Sequence, residues 1–156
     1  SDFFEGGVAR VAYAYDYIIV DCPPGVSTFS ASAVRASQLI LTPVMPEYLS
    51  EMGLSVFAAD VLRDYKRAAR LPRPARVIFN RVQSSSAHSE YQSSISDLVD
   101  RYDDVLTLSD TVFPQDQALA DVAGERGSDS NIREKYGASI NVIEDLVREV
   151  LQVTGA

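Results

Sequence analysis

Short apolar runs rich in β-formers alternate along this chain with longer stretches that repeat an apolar residue every three or four positions, and few architectures accept such an alternation. The runs are Tyr17-Ile18-Ile19-Val20, Gln38 to Thr42, Arg76 to Phe79 and Thr111 to Phe113, each ending near proline or a polar residue. A run that is apolar throughout, rather than at every second position, suits a strand covered on both faces of a parallel sheet. The stretches between them have helical period. Leu54, Phe57, Ala58, Val61, Tyr65, Ala68 and Ala69 form one stripe; Tyr91, Ile95, Leu98, Val99 and Tyr102 a second; Ile140, Ile143, Leu146, Val147, Val150 and Leu151 a third. Phe4, Val8, Val11, Ala12 and Tyr15 predict a further helix over 3–14, weakened by Gly6 and Gly7, and a shorter one is expected over Ser27 to Ser37. Strands alternating with helices of these lengths imply right-handed βαβ units. The expected fold class is α/β, three-layer, with a mostly parallel sheet and helices on both faces.

A chain of 156 residues is long enough to bury one core and too short for two, so residues 1–156 are expected to form a single domain. No apolar stretch reaches the length of a membrane span, and no charged start followed by an apolar run marks a signal peptide, which makes a cytoplasmic protein the expectation. Cys22 is the only cysteine and can neither form an internal disulfide nor anchor a zinc site, so a bound metal would need oxygen ligands. The formal charge of -8 argues against a surface that wraps nucleic acid as a whole. The chain begins at Ser1 rather than Met, directly inside apolar periodic sequence, and this predicts an excised or truncated piece of a longer protein.

In parallel sheets ligands bind beyond the carboxyl ends of the strands, so the polar residues that follow each strand are the ones to read. After the first run comes Asp21-Cys22-Pro23-Pro24-Gly25, after the third Asn80-Arg81, and after the fourth Pro114-Gln115-Asp116. An apolar strand ending in Asp is what a Walker B element needs, because the carboxylate must sit at the sheet edge to hold Mg²⁺. It is equally what a strand needs whose terminal Asp only caps the next turn. The four-residue pattern leaves both readings open.

The longer segment YDYIIVDCPPG at 15–25 closely resembles the Walker B and switch II region of the ParA/MinD-type P-loop ATPases. The resemblance continues through VRASQLILTPVMPEYLSEMGLS at 34–55, RVIFNRV at 76–82, TVFPQDQALADVAGERG at 111–127 and the closing REKYGASINVIEDLVREV, so it covers nearly the whole chain. It implies a partial P-loop NTPase-like fold using ATP and Mg²⁺. Asp21 would be the catalytic, Mg²⁺-associated carboxylate, and Pro23, Pro24 and Gly25 would belong to the switch that senses the γ-phosphate. Asn80 would hydrogen-bond adenine, for which an amide offers both donor and acceptor, and Pro114 and Asp116 would flank the base. One departure is plain. No G-x-x-x-x-G-K-[ST] occurs, and the only lysines, Lys66 and Lys135, follow no glycine pattern. The loop's backbone N–H groups and lysine supply most of the grip on phosphates, so the chain alone is expected to be inactive and to bind no nucleotide tightly.

Other residues invite plainer explanations. His88 lies in a polar stretch with no recognisable partner and reads as an exposed loop residue; Cys22 reads as a small turn residue. Glu47 and Glu51 sit where a helix should start, and capping is their expected role. Arg63, Lys66, Arg67 and Arg70 are spaced to share one helical face opposite the apolar stripe. That face is either merely solvated or, as the ParA resemblance implies, a non-specific DNA contact. The last helix carries Glu144, Asp145 and Glu149 against Arg148 over 141–156, so a basic membrane-binding tail is absent and the likeness leans from MinD towards ParA.

The resemblance therefore implies a fragment of an ATP hydrolase that works by ATP-dependent dimerisation in DNA partitioning or cargo positioning, with a homodimer partner and a ParB-like activator. A non-catalytic adaptor of the same fold, binding a protein partner through its helices, is the rival reading. A synthetase sharing the fold is a second.

Overall fold

The computed structural model describes residues 3–23, 27–117, 119 and 131–155. Among the described residues three short strands, β1 (Leu41–Val44), β2 (Ala75–Phe79) and β3 (Leu106–Leu108), lie in the order β1-β2-β3, with both pairings parallel. Helices α1 (Phe3–Val11, continued by a 3₁₀ turn over Ala12–Ala14) and α2 (Thr28–Ala36) precede the sheet. Helix α3 (Tyr48–Val56) runs without a break through a π-helical segment, Phe57–Leu62, into α4 (Arg63–Arg67) and links β1 to β2. Helix α5 (Ser86–Arg101) links β2 to β3; α6 (Ile132–Tyr136), a 3₁₀ turn (Gly137–Ser139) and α7 (Ile140–Thr154) close the chain.

Helix starts follow local chemistry. Ser27 accepts from the Ser30 N–H at 3.1 Å while Ser30 Oγ accepts the Ser27 N–H at 2.8 Å, a reciprocal capping box that opens α2. Ser85 caps α5 by accepting from the His88 N–H at 3.2 Å. Gly137 takes a positive φ of 52° between α6 and α7, a conformation that costs glycine little, and so separates α6 from the α7 helix that the third stripe predicts.

Register sorts the sheet's two faces. Ala75, Val77 and Phe79 of β2 point one way with Val44 and Leu106, and meet Leu54, Ala58, Leu62, Ile95, Leu98 and Val99 from the α3–α4 and α5 helices. Burying these side chains is the main stabilising term of the fold. Arg76 points to the opposite face, where Glu149 of α7 reaches it. Helices thus lie on both faces, as expected of the fold class.

Three expectations from the sequence need correcting. The run Tyr17–Val20 is not a strand: it takes no regular secondary structure and joins no ladder, and Ile19 is 94% exposed. The edge of β1 gives a physical reason. Ile40 and Val44 turn their carbonyls to β2, accepting from the Arg76 and Asn80 N–H groups at 2.8 Å each. Leu41 and Pro43 therefore face outward, and Pro43 has no N–H to offer another strand. The run Thr111–Phe113 is not a strand either; the third strand is Leu106–Leu108, which the sequence pattern missed. Finally, the first helical stripe ends early. Ala69 adopts φ 53°, the Arg70 N–H returns to the Tyr65 carbonyl at 2.8 Å, and Arg70 lies beyond the helix that carries Arg63, Lys66 and Arg67.

Candidate functional site

Two of the three post-strand segments meet at the carboxyl end of the sheet. Asn80 directly follows β2, is half-buried, and donates its backbone N–H to Val44 at 2.8 Å. Its side-chain amide has no hydrogen-bond partner among the described residues. The next residue, Arg81, holds φ 55°, a left-handed conformation uncommon for a residue with a long side chain, and turns the chain out of the strand. No sequence signal marks that turn, since Gly or Asn would be the expected occupant. Pro114 pairs with Val82 as an isolated parallel bridge, with the Val82 N–H donating to Phe113 at 3.0 Å and the Gln115 N–H to Val82 at 2.9 Å. The side chains of Gln83 and Gln115 join the same two segments. Asp116, half-buried, accepts from Ser139 Oγ just before α7. Asn80, Pro114 and Asp116 thus converge.

Asp21 does not share that placement. With residues 17–20 outside the sheet, its position cannot follow from a strand end; it is exposed, as are Cys22 and Pro23, and its carboxylate has no partner among the described residues. Pro24 and Gly25 lie outside the described residues. Among the described residues no three His, Cys, Asp or Glu side chains gather to hold a metal.

Beside the convergence lies a buried cluster that the sequence reading missed. Glu149 accepts from Ser109 Oγ at 2.7 Å, Thr111 Oγ1 at 2.8 Å, the Asp110 N–H at 3.2 Å and the Thr111 N–H at 3.3 Å, and pairs with Arg76. Burial pushes its carboxyl up, but the hydrogen bonds from Ser109, Thr111, Arg76 and the Asp110 backbone win and hold it at about 2, below the ordinary 4.5. In the sequence this residue is one of several acids on the last helix, and only the pair Ser109 and Thr111 hints at a polar pocket for one of them.

The basic face is largely committed. Arg63 and Lys66 both reach Asp104, at 3.2 and 3.3 Å, and Arg63 stacks 4.4 Å from the centre of the Tyr102 ring. Burial raises the Asp104 carboxyl and the two cations more than offset it, leaving it below the ordinary range. Arg67 pairs with Asp64 at 2.7 Å. Arg70 borders an open cavity of about 910 Å³ together with Arg35, Ser37, Gln38 and Pro72, at the amino end of the sheet and away from Asn80.

The remaining expectations resolve locally. His88 is not a loop residue: it sits half-buried in the first turn of α5, where Nδ1 accepts the Gln83 N–H at 3.1 Å. Glu47 makes no capping bond to the backbone of α3, and Glu51 accepts instead from Ser94 Oγ of α5 at 2.5 Å. No helix among the described residues is long and apolar enough to cross a membrane.

Comparison with known proteins bears on the first part of the chain. The profile of a family described as an AAA domain matches residues 2–70. A Pseudomonas putida protein named only as uncharacterised is 43% identical over 68 residues, which is 43% of this chain and 24% of the relative. The sporulation initiation inhibitor protein Soj of Bacillus subtilis is 46% identical over 41 residues, 26% of this chain and 16% of Soj. Over this stretch the chain is similar to ParA-like proteins. The chromosome partitioning protein ParA of Myxococcus xanthus agrees, at 42% identity over 45 residues, 29% of this chain and 16% of that protein. The chain thus spans a quarter or less of the curated relatives it matches. No solved structure gives a significant match. A small all-parallel sheet with helices on both faces is consistent with part of a P-loop NTPase-like ParA architecture. The family match ends before Asn80, Pro114 and Asp116.

Proposed function

We propose that residues 1–156 act as one domain, the carboxyl-terminal part of a ParA-like ATPase whose intact form uses ATP-dependent dimerisation and hydrolysis to partition DNA or position another cargo. The observation that carries this reading is that Asn80, whose side-chain amide has no hydrogen-bond partner among the described residues, lies at the sheet end where Pro114 bridges Val82, on a chain whose residues 2–70 match the family profile. A half-buried amide with free donor and acceptor fits the edge of an adenine base. Pro114 and the loop through Asp116 would close over one side of the base, held by the Val82 bridge and Ser139. Asp21 would provide one oxygen to Mg²⁺, and Pro23, Pro24 and Gly25 would form the segment that responds to the terminal phosphate. Bound Mg-ATP supplies the phosphoryl group and the cation that balances its charge. The chain's own residues orient the base and keep the carboxylate at hand. A homodimer, a ParB-like activator, DNA contact and a cytoplasmic setting belong to the same proposal.

The test is direct. Calorimetry of the 156-residue chain with Mg-ATP should give no micromolar binding, because no phosphate loop is present in its sequence. In a longer form carrying such a loop ahead of Ser1, Asp21→Ala should strongly lower hydrolysis and leave the fold intact, and unchanged turnover would remove Asp21 from the Mg²⁺ role. A second reading, the adaptor, draws support from α3, where Tyr48, Leu49, Met52 and Val56 expose an apolar face. A longer natural form without a phosphate loop would favour it.

A further inference from the structure

The loop that carries Pro114 and Asp116 departs from regular sheet geometry in one countable way. The Ser109 N–H donates to Val77 and the Phe113 N–H to Phe79, each pair at a normal distance of 2.8 or 2.9 Å. In a regular parallel pair the donor after Ser109 would be Thr111. Two extra residues are therefore looped out on this side, and the Thr111 N–H that should bond Phe79 turns to Ser109 Oγ and to Glu149. A bulge re-aims the chain that follows it. Here the chain that follows is 113–116.

We infer that Glu149 is a positioning residue for the base site: by gathering the bulge at Ser109–Thr111 it sets the path that brings Pro114 and Asp116 beside Asn80. The geometry is a two-point suspension. Glu149, in the middle of α7, accepts four hydrogen bonds from residues 109–111, and Ser139, just ahead of the same helix, donates to Asp116. Arg76 of β2 fixes the carboxylate from beneath, and Arg73 donates to the Val153 carbonyl near the other end of the helix. One rigid helix thus spans both ends of the loop. No apolar side chain could do the same, because the buried Thr111 N–H needs an acceptor that water does not supply. The inference rests on the adenine reading of Asn80, Pro114 and Asp116 for its consequence, but not for its mechanics.

The experiment has two arms on the 156-residue chain. Hydrogen exchange reads the loop itself: Glu149→Gln should lower protection of the Phe113 and Gln115 amides by about tenfold or more, as loss of charge-assisted hydrogen bonds would. The Arg76 and Asn80 amides, bonded to β1, should fall only by the global stability change measured in urea. Thr111→Val, which keeps the Arg76–Glu149 pair, should give a smaller loss at the same two amides and serves if Glu149→Gln does not fold. Equal losses across the sheet, or none at Phe113 and Gln115, overturn the inference. The second arm titrates adenosine and guanosine, following the Asn80 and Asp116 amide resonances. Wild type should prefer adenosine, Glu149→Gln should lose the preference, and the exposed control Val147→Ala should keep it. A merely structural role would weaken both nucleosides alike, and a retained preference in Glu149→Gln overturns the positioning role. Absence of any nucleoside response in wild type instead overturns the adenine reading, and hydrogen exchange then decides the hold on the loop alone.

Discussion

Residues 17–20 and 76–79 are close in character as sequence, Tyr-Ile-Ile-Val against Arg-Val-Ile-Phe, and each is followed by a polar residue to which the proposed function gives a role. In the fold they have opposite fates. Ile78 is 4% exposed in the middle strand, with a hydrogen-bonded neighbour on each side, while Ile19 is 94% exposed and pairs with nothing described. Intrinsic β-propensity is the same for both, so it cannot be what makes a strand here. What differs is cover: β2 has helices on both faces and strands on both edges, whereas the edge nearest in the sheet's order, β1, is blunted by Pro43.

The sharpest way to break that comparison is to remove the ionic brace under β2. Arg76→Met leaves the Glu149 carboxylate buried without its cation and should cost about 3–5 kcal/mol in urea unfolding. Asp21→Ala, at an exposed residue with no partner among those described, should stay within about 0.5 kcal/mol. Comparable losses at the two positions would mean that the 17–23 segment is packed in solution. The isoleucines offer the apolar version of the same contrast. Ile78→Ala should cost about 2–5 kcal/mol and Ile19→Ala about 0.5 kcal/mol or less. A large effect at Ile19 would restore the strand that the sequence pattern predicts.

Acid sharpens the contrast further. The Glu149 carboxyl stands near 4.5 when unfolded and at about 2 when folded, so folding favours its ionised form. Its contribution is fully present above pH 4.5 and is lost as the pH falls towards 2, because the unfolded chain takes up the proton first. With the side chain 9% exposed, the difference is on the order of 3 kcal/mol. Urea midpoints at pH 7, 4 and 2.5 should fall in that order for wild type and fall less for Glu149→Gln. Parallel curves would remove Glu149 as the main acid-sensitive group.

These contrasts also mark what the sequence can and cannot tell. Helical stripes are legible because they depend on neighbours a few positions apart, but the caps expected of Glu47 and Glu51 do not form, and the Ser27–Ser30 capping box of α2 goes unforeseen. The parallel sheet is legible from alternation. Strands at 17–20 and 111–113 are false readings, since pairing depends on partners far away in sequence. Thr111 is lost to the ladder because Glu149, 38 residues on, captures its N–H. The same distance hides the Glu149 cluster and the Asp104 bridge, the latter 38 and 41 residues from the cations that Asp104 neutralises. Asn80 directly follows β2, so its place at the sheet's carboxyl end is legible, whereas Pro114 follows no strand and reaches that end through its bridge to Val82.

The smallest expected effect concerns those cations. Asp104 is shared by Arg63 and Lys66 at the surface, where ion pairs contribute little to stability. Asp104→Asn should therefore leave the urea midpoint nearly unchanged. Its consequence for charge is clearer, since two side chains now turned inward would be released towards solvent, close to Arg67. If this face meets DNA in the longer protein, affinity for unrelated duplexes should rise and the dependence on salt should steepen, by up to about 0.9 log units for each further phosphate neutralised. Replacing Arg63, Lys66, Arg67 and Arg70 by Ala should flatten the same slope. The two variants move the slope in opposite directions only if the face touches phosphate. Unchanged slopes in both would assign Arg63 and Lys66 to holding the turn after α5 through Asp104 and Tyr102, and would leave DNA binding to another part of the protein.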